Sequence, residues 1–457
     1  MLIRPRMSPQ KELEQRIAQL EAENTRLRQE NQELQKLRKE VEELRRLLKA
    51  IVEPEKKLPS FVKEDTHHRN KRPGRDEGHE GASRPMPDRV DETTKAEICS
   101  CPDCKGRVAF IDNRARIIED VIPAEVKVTR IMVGRYWCRA CNKIVEAPVT
   151  SAFSGCRFGL RLHLLVTFLR IGLGMPMGKI RTLLRISYGM QISKGGISQM
   201  LARTALEFGD HYADLIQDLR RSPYANCDET GWRIDGKNAW LWDFIGRMVA
   251  VYTIHRSRGR NVPRKILGKD YGGTVGSDFW SAYNFASDSQ QKCHVHLKRH
   301  LHEVTKKKHH RSSFHPFKKK LKRILDDSIR LKEHEPNLAK RQEGKALFEA
   351  RILALCNEGW ADKDCNRLIK RLRRHAKDLF TFLVVDGIAP DNNIAEQGIR
   401  PAVVMRKNSY GNRSKKGAET TAVLLSTVET CKLREQNFLE WGQQYFEEKL
   451  SSGTSNR

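Results

Sequence analysis

Leucine or valine recurs every seventh residue at Leu13, Leu20, Leu27, Leu34, Val41 and Leu48, with Ile17, Asn24 and Asn31 between them in the first heptads. That spacing predicts one long helix over residues 1–52 with its apolar stripe in a coiled-coil seam. Asparagine at two a-type positions favours a parallel dimer in fixed register, because a buried amide tolerates few other arrangements. After Leu34 the seam changes phase, to Leu37, Val41, Leu44, Leu48 and Ile51. This reads as a stammer that locally overwinds the helix. The competing reading is a solvated charged helix packed on its own protein.

The periodicity then stops. Residues 53–97 hold Pro54, Pro59, Pro73, Pro85 and Pro87, several glycines and mixed charge. They predict a flexible linker, in which Lys71, Arg72 and Arg75 are candidate phosphate contacts. Over 98–150 the sequence offers Cys101-Pro-Asp-Cys104 and Cys138-Arg-Ala-Cys141, with 33 residues between the pairs. Four thiolates so spaced suit structural Zn²⁺ in a closed tetrahedral site, and the alternating VIPAEVKVTRIMV between them suits the hairpin of a zinc ribbon. Cys99 is an alternative to Cys101 as ligand. Residues 151–220 read as helical. Within them, Ile180, Leu183 and Leu184 on one helix, a glycine-containing turn, and Ser193 capping a second helix with Ile197 and Leu201 inward resemble a helix–turn–helix. An ordinary helical hairpin fits the same pattern.

From Asn226 the pattern changes to strands: Ala239–Ile245, Val249–Ile254 and Gly273–Ser277. A basic helical stretch, taken as an insertion over 301–384, follows and includes Lys306–Lys308 and Lys318–Lys320. The fold class expected is α/β, a ribonuclease-H-like core over 221–430 with this helical insertion. A coiled coil, a zinc ribbon and a helical region precede it, and a C-terminal helix and tail occupy 431–457.

The chain has 457 residues with 85 Lys+Arg against 57 Asp+Glu, a formal net charge of +28. Such a surface fits a polyanionic partner, foremost double-stranded DNA. No stretch of about 18 apolar residues predicts a membrane span, and the opening MLIRPRMSPQKELEQ lacks the apolar run of a signal peptide. The scattered cysteines fit a reducing cytosol, so the expected location is cytoplasmic.

Against that charge stand three acids. Asp228 follows YANC, Asp278 follows the strand GGTVGS, and Glu396 sits in DNNIAEQGIRP on a helix starting near Asp391, its expected N-cap. Converging carboxylates repel one another unless cations lie between them, and Mg²⁺ or Mn²⁺ is the natural occupant. The site then suits in-line displacement at phosphorus. Asn392, Glu396 and Arg400 fall on one helical face, so Asn392 and Arg400, with Arg406 and Lys407 beyond, are candidate DNA contacts. Cys293 and His296 in CHVHLKRH have metal-ligand character, but two ligands make a poor zinc site, and packing or phosphate contact is the reading adopted. Tyr410 near Arg400 and Arg406 is a faint match to a tyrosine recombinase, which leaves the acids unexplained. No GxxxxGK[ST] loop is present.

These segments together resemble the DDE transposases of the insertion-sequence-66 family: DET before a Trp-rich strand, D-F-W-S-A-Y after the second strand, and D-N-N-x-A-E-x-x-I-R-P with R-K-N and K-G-A-E behind it. The zipper, the K-R-P-G-R-D-E-G-H-E-G linker and the paired cysteines extend the likeness over nearly the whole chain. The resemblance selects Asp228 over Glu229 and implies a bacterial, nucleoid-associated enzyme that cleaves transposon ends and transfers strands into target DNA. It implies a homodimer or higher assembly, with small accessory proteins of the same element as candidate partners. The alternative is a non-catalytic DNA-binding regulator or an inactive relic.

Overall fold

The computed structural model describes residues 9–52 and 87–452, apart from 96, 101, 112–114, 116, 119–124 and 307–313. The linker cations Lys71, Arg72 and Arg75, together with Cys101, Lys307 and Lys308, lie outside the described residues. The chain divides into two units, Met1–Ala115 and Arg116–Arg457.

In the first unit, α1 (Pro9–Val52) is one unbroken helix of 44 residues, about 66 Å long at 1.5 Å per residue. Ile17, Leu20, Leu27, Leu37 and Val41 remain exposed along it. Further on, an antiparallel bridge joins Ser100 to Arg107 around the first cysteine pair.

The second unit opens with the antiparallel hairpin β1 (Arg135–Cys138) and β2 (Lys143–Glu146), which closes on the second cysteine pair. The expected hairpin in VIPAEVKVTRIMV is not there: among its described residues, 125–133, none is in a strand. The ladder forms instead where the knuckle turn brings two short segments together.

Four helices follow: α2 (Leu160–Thr167, continued by a π-turn through Gly172), α3 (Met177–Tyr188), α4 (Lys194–Glu207) and α5 (Gly209–Arg221). Gly189, in the left-handed region, ends α3. The Ser193 side chain caps α4 by accepting the Gly196 N–H at 3.0 Å. Ile180, Leu184, Ile197 and Leu201 are buried.

Strands β3 (Tyr224–Ile234), β4 (Lys237–Gly246), β5 (Val249–His255), β6 (Thr274–Ser277) and β7 (Gln290–Lys292) form one sheet in the order β5-β4-β3-β6-β7. The first three pair antiparallel, and β6 and β7 add parallel on the far side of β3. The period-2 alternation divides the sheet cleanly. Trp232, Ile234, Leu241, Ile245, Ala250 and Tyr252 face a core shared with α2, α3 and α4. Ala225, Cys227, Trp242, Phe244, Val249 and Val251 face the other way, toward α5 and α6 (Asn261–Leu267).

Helices α7 (His294–Lys306), α8 (Phe314–His334), α9 (Leu338–Cys356) and α10 (Lys363–His375) have their own core, running from Leu297 to Ile388. The insertion therefore starts directly after β7, earlier than residue 301. The chain returns through α11 (Asn393–Gly398), α12 (Arg400–Ser409), α13 (Lys415–Leu433) and α14 (Phe438–Ser451). The last three share the core of α2–α4. Residues from 151–220 and 431–452 thus pack on the sheet through this shared core. The outer edge of β5 is covered by α13. Ser426 Oγ accepts the Tyr252 N–H at 2.8 Å, and Thr430 Oγ1 accepts the Ala250 N–H at 3.0 Å. Edge groups that would otherwise template aggregation are satisfied in this way.

Candidate active site

Asp228 and Asp278 follow neighbouring parallel segments of the sheet. β3 and β6 run parallel with Asn226 opposite Gly276, and each aspartate lies two residues further on. Asp228 remains within β3, whereas Asp278 lies just past the end of β6, beyond the last β3–β6 pair. Glu229 points to the face opposite Asp228, as the alternation requires.

The third acid comes from above. Helix α11 is seated on the sheet by two polar ties and one close approach. Asn392 Nδ2 donates to the carbonyl of Cys227 at 2.8 Å, next to Asp228. The Tyr252 hydroxyl donates to the Gly398 carbonyl at 2.7 Å. A Cβ on Gly398 would lie 3.0 Å from Ile245 and 3.2 Å from Asp243 Oδ2, so a larger residue would press on both. Glu396, one turn after Asn392, is thereby held near Asp228. Asp391 accepts the Asn393 N–H at 3.1 Å and closes the preceding turn.

Burial pushes the Asp228 carboxyl up to about 7, with the charges of Glu229, Asp278 and Glu396 adding to the rise and the Glu229 N–H opposing it. Asp228 therefore senses all three neighbouring carboxylates. Glu396 has His296 Nε2 at 3.7 Å and Arg299 Nη2 at 3.8 Å, both from α7. Asp278 accepts the Trp280 N–H at 2.7 Å. Arg371 of α10 lies over the Phe279 ring at 5.1 Å, and its guanidinium feels the Asp278 charge. Lys292 is buried beside this strand end. Its ammonium donates to Ser277 Oγ at 3.0 Å, and burial lowers it to about 8.

A fourth carboxylate, Asp243, is directly across the β3–β4 ladder from Asp228, and its Oδ1 accepts the Asp228 N–H at 3.1 Å. It is fully buried, and burial first, then the Asp228 charge, pushes its carboxyl far above the usual range.

The donor set is three hard carboxylates whose mutual repulsion is visible in Asp228, which fits Mg²⁺ or Mn²⁺. As placed, no three His, Cys, Asp or Glu side chains among the described residues close on a single point. Glu396 lies beside His296 and Arg299 of α7.

Not every expected DNA contact reaches solvent. Arg400 and Lys407 are exposed. Asn392 is buried and serves the Cys227 carbonyl, and Arg406 donates to Thr230 Oγ1 at 2.9 Å and to the Gly231 carbonyl. These two fasten α11 and α12 to β3. Cys293 is buried, its thiol pushed up to about 11, and it lies against the backbone N–H groups of His296 and Asn392. His296, Arg299 and Arg371 reach the acids from the insertion. Sequence patterning singled out His296 without a place for it and missed the other two. Their cue was basic residues on the apolar-periodic helices that directly follow β7.

At the cysteine pairs, each turn carries a left-handed residue just after its second cysteine, Lys105 at φ 61° and Asn142 at φ 50°. Hydrogen bonds from the backbone and side chain of Cys141, then from the Ala140 N–H, hold the Cys138 thiol below its usual range. A thiolate-favouring turn is what a metal knuckle requires.

The Asp228 shift has a sign that can be measured. An unfolded aspartate titrates near 3.9, so the folded chain holds this proton more tightly. The contribution is complete below about pH 4 and is lost as pH rises through about 7. In chelator, Asp228→Asn is expected to raise the melting temperature by several degrees at pH 8 and by almost nothing at pH 4.5. Equal shifts at both pH values would remove the charge from the explanation.

The profile of the Transposase IS66 family matches residues 155–420. That of the zinc-finger binding domain of transposase IS66 matches 99–142. Curated relatives include three uncharacterised proteins of Sinorhizobium fredii (strain NBRC 101917 / NGR234). Protein y4jD is 24% identical over 406 residues, 80% of this chain and 78% of the relative. Protein y4qI is 22% identical over 78% of this chain and 71% of its own length. Protein y4hP is 22% identical over 78% and 72%. With the family match spanning the helical region, the sheet, the insertion and the three acid-bearing segments, the chain belongs to the Transposase IS66 family.

Proposed function

We propose that the protein is a DNA transposase in which Asp228, Asp278 and Glu396 hold Mg²⁺ or Mn²⁺ and carry out both cleavage at element ends and strand transfer. The observation that carries this reading is Asp228 on β3 beside the end of its parallel neighbour β6, where Asp278 follows, with α11, which bears Glu396, tied to the Cys227 carbonyl next to Asp228. The sheet order, with its antiparallel half and parallel half joined at the strand bearing Asp228, supports a ribonuclease-H-type core.

When bound, the divalent ions supply an activated attacking oxygen and charge stabilisation for the leaving one. The protein does the rest. Asp228 would give up its proton as the site fills, since a cation beside it would offset the burial and the like charges that raise it. His296, Arg299 and Arg371 orient the phosphodiester through its non-bridging oxygens. Arg400 and Lys407 contact backbone phosphates further along, where they fix register and carry no sequence information. Helix α4, capped by Ser193, is the candidate to read a major groove, and exposed lysines of the insertion, Lys319 among them, track the duplex.

Two further parts complete the reading. Residues 13–51 pair two protomers as a parallel coiled coil. Cys101, Cys104, Cys138 and Cys141 bind structural Zn²⁺, a reading supported by the zinc-finger match. Among the described residues no helix is long and apolar enough to cross a membrane, and the site of action proposed is the bacterial nucleoid.

The deciding experiment incubates purified protein with DNA of the element's ends and Mg²⁺ or Mn²⁺ and follows nicked and joined products. Metal-independent binding with no strand cleavage would establish a regulator instead. Elemental analysis of protein purified without chelator should give one zinc per chain. Cys138→Ser should lose it, because one ligand fewer weakens a closed site by orders of magnitude. Zinc-free wild-type protein would sink this part.

A further inference from the structure

Behind the acid-bearing face lies a second cluster that the proposed mechanism leaves unused. Glu229, next to Asp228 in the chain, points to the other side of the sheet, where its carboxylate is almost wholly enclosed. Arg258, from the loop after β5, donates to Glu229 Oε1 through Nε at 2.9 Å and Nη2 at 2.6 Å. The Tyr283 hydroxyl donates to Oε2. The Arg258 guanidinium is stacked between two indoles, 4.3 Å from the Trp240 ring and 4.0 Å from the Trp280 ring. Trp280 Nε1 donates to the Arg258 carbonyl at 3.2 Å, and the Trp280 backbone N–H holds Asp278 Oδ1.

The connectivity matters more than any single bond. Glu229 is one residue from the first catalytic aspartate, and Trp280 is two from the second. Arg258 joins them, and Tyr283, in the 3₁₀ turn that follows Asp278, joins them again. Trp240, on β4, fixes the stack to the rigid part of the sheet. We propose that Glu229, Arg258 and Tyr283, with Trp240 and Trp280, form a brace that sets the separation of Asp228 and Asp278 from behind.

Stability alone does not explain the arrangement. A buried ion pair costs much of what it contributes in desolvation, and apolar residues of the same volume usually serve as well. What an ion pair with a forked guanidinium adds is a single geometry. Here that geometry is imposed on the segment after β6, which has left the sheet ladder and has no strand partner to define it. The pairing also cancels a negative charge that would otherwise lie uncompensated beside Asp228.

The brace rests on the reading of Asp228 and Asp278 as metal ligands, and the test separates the two. Mn²⁺ binding to full-length protein without DNA is followed by electron paramagnetic resonance, beside melting temperature and affinity for end DNA. Tyr283→Phe removes one oxygen and keeps the ring. Arg258→Lys keeps the charge and loses the fork and the stack. Both are expected to weaken Mn²⁺ binding tenfold to a hundredfold, the usual scale for partners that orient metal ligands. DNA affinity should stay within about twofold, since the brace faces away from it. Combining the two changes should cost no more than Arg258→Lys alone, because they break one unit. Should Arg258→Lys fail to fold, Tyr283→Phe still decides. Wild-type Mn²⁺ affinity in folded Tyr283→Phe overturns the brace and leaves the catalytic reading standing. No Mn²⁺ binding by the wild type overturns the catalytic reading and the brace with it.

Discussion

Asp228→Asn, Asp278→Asn and Glu396→Gln are each expected to abolish strand cleavage, by roughly a thousandfold or more, while end-DNA affinity changes little. An amide keeps the shape of the carboxyl group and removes the charge that holds a dication, and several kcal/mol of transition-state stabilisation go with it. The three variants should nevertheless differ in stability. Asp228 is buried among like charges, so its amide stabilises the fold above neutral pH. Glu396 has His296 and Arg299 nearby, so its amide leaves the Arg299 guanidinium without that countercharge. Loss of cleavage that follows loss of charge, and not the change in melting temperature, identifies a ligand. Cleavage at the wild-type rate in any one variant removes that residue from the site. Arg371→Ala is a useful companion: with the acids intact, it should lower turnover without altering Mn²⁺ affinity.

The proposed acids stand out in the sequence by local signatures: DET before a Trp-rich strand, the end of a strand before Asp278, and a helix opening in DNNIAE. Asp228 itself lies inside β3 and not at a strand end. The strand alternation alone was enough to put Asp228 and Glu229 on opposite faces. What could not be read is long-range. Strand β7 is only Gln290–Lys292, three polar residues, all buried between β6 and the insertion. Period-2 patterning cannot find a strand with no apolar residue. Asn392 and Arg406 looked like DNA contacts because amide and guanidinium groups beside an acid usually are. Their bonds to Cys227 and Gly231 depend on α11 and α12 packing over β3, a contact some 165 residues apart in sequence for Asn392. Asp243 lay inside the apolar string AWLWDF and drew no notice. Its meaning comes only from the register that sets it opposite Asp228.

Removing residues 1–52 is expected to convert a dimer into a monomer of the shortened chain, with the remainder still folded. Helix α1 leaves Ile17, Leu20, Leu27 and Leu37 each more than half exposed, and Val41 at 47%. A single helix in water gains nothing from that stripe, and most helical stability in proteins comes from packing such a face. Pairing with a second copy buries it, at about 1 kcal/mol for each half-exposed side chain. The choice of two strands over three then falls to the asparagines. Asn24→Val with Asn31→Val should tighten association and relax its specificity, giving higher oligomers, since the polar a-type positions cost stability to fix number and register. Light scattering at matched concentration separates the outcomes. A full-length monomer, or an unchanged dimer after truncation, would assign the zipper another task. If the dimer is lost, complexes holding two ends should fall with it while binding of a single end persists. A domain that pairs protomers acts on the number of ends held, not on the grip on each.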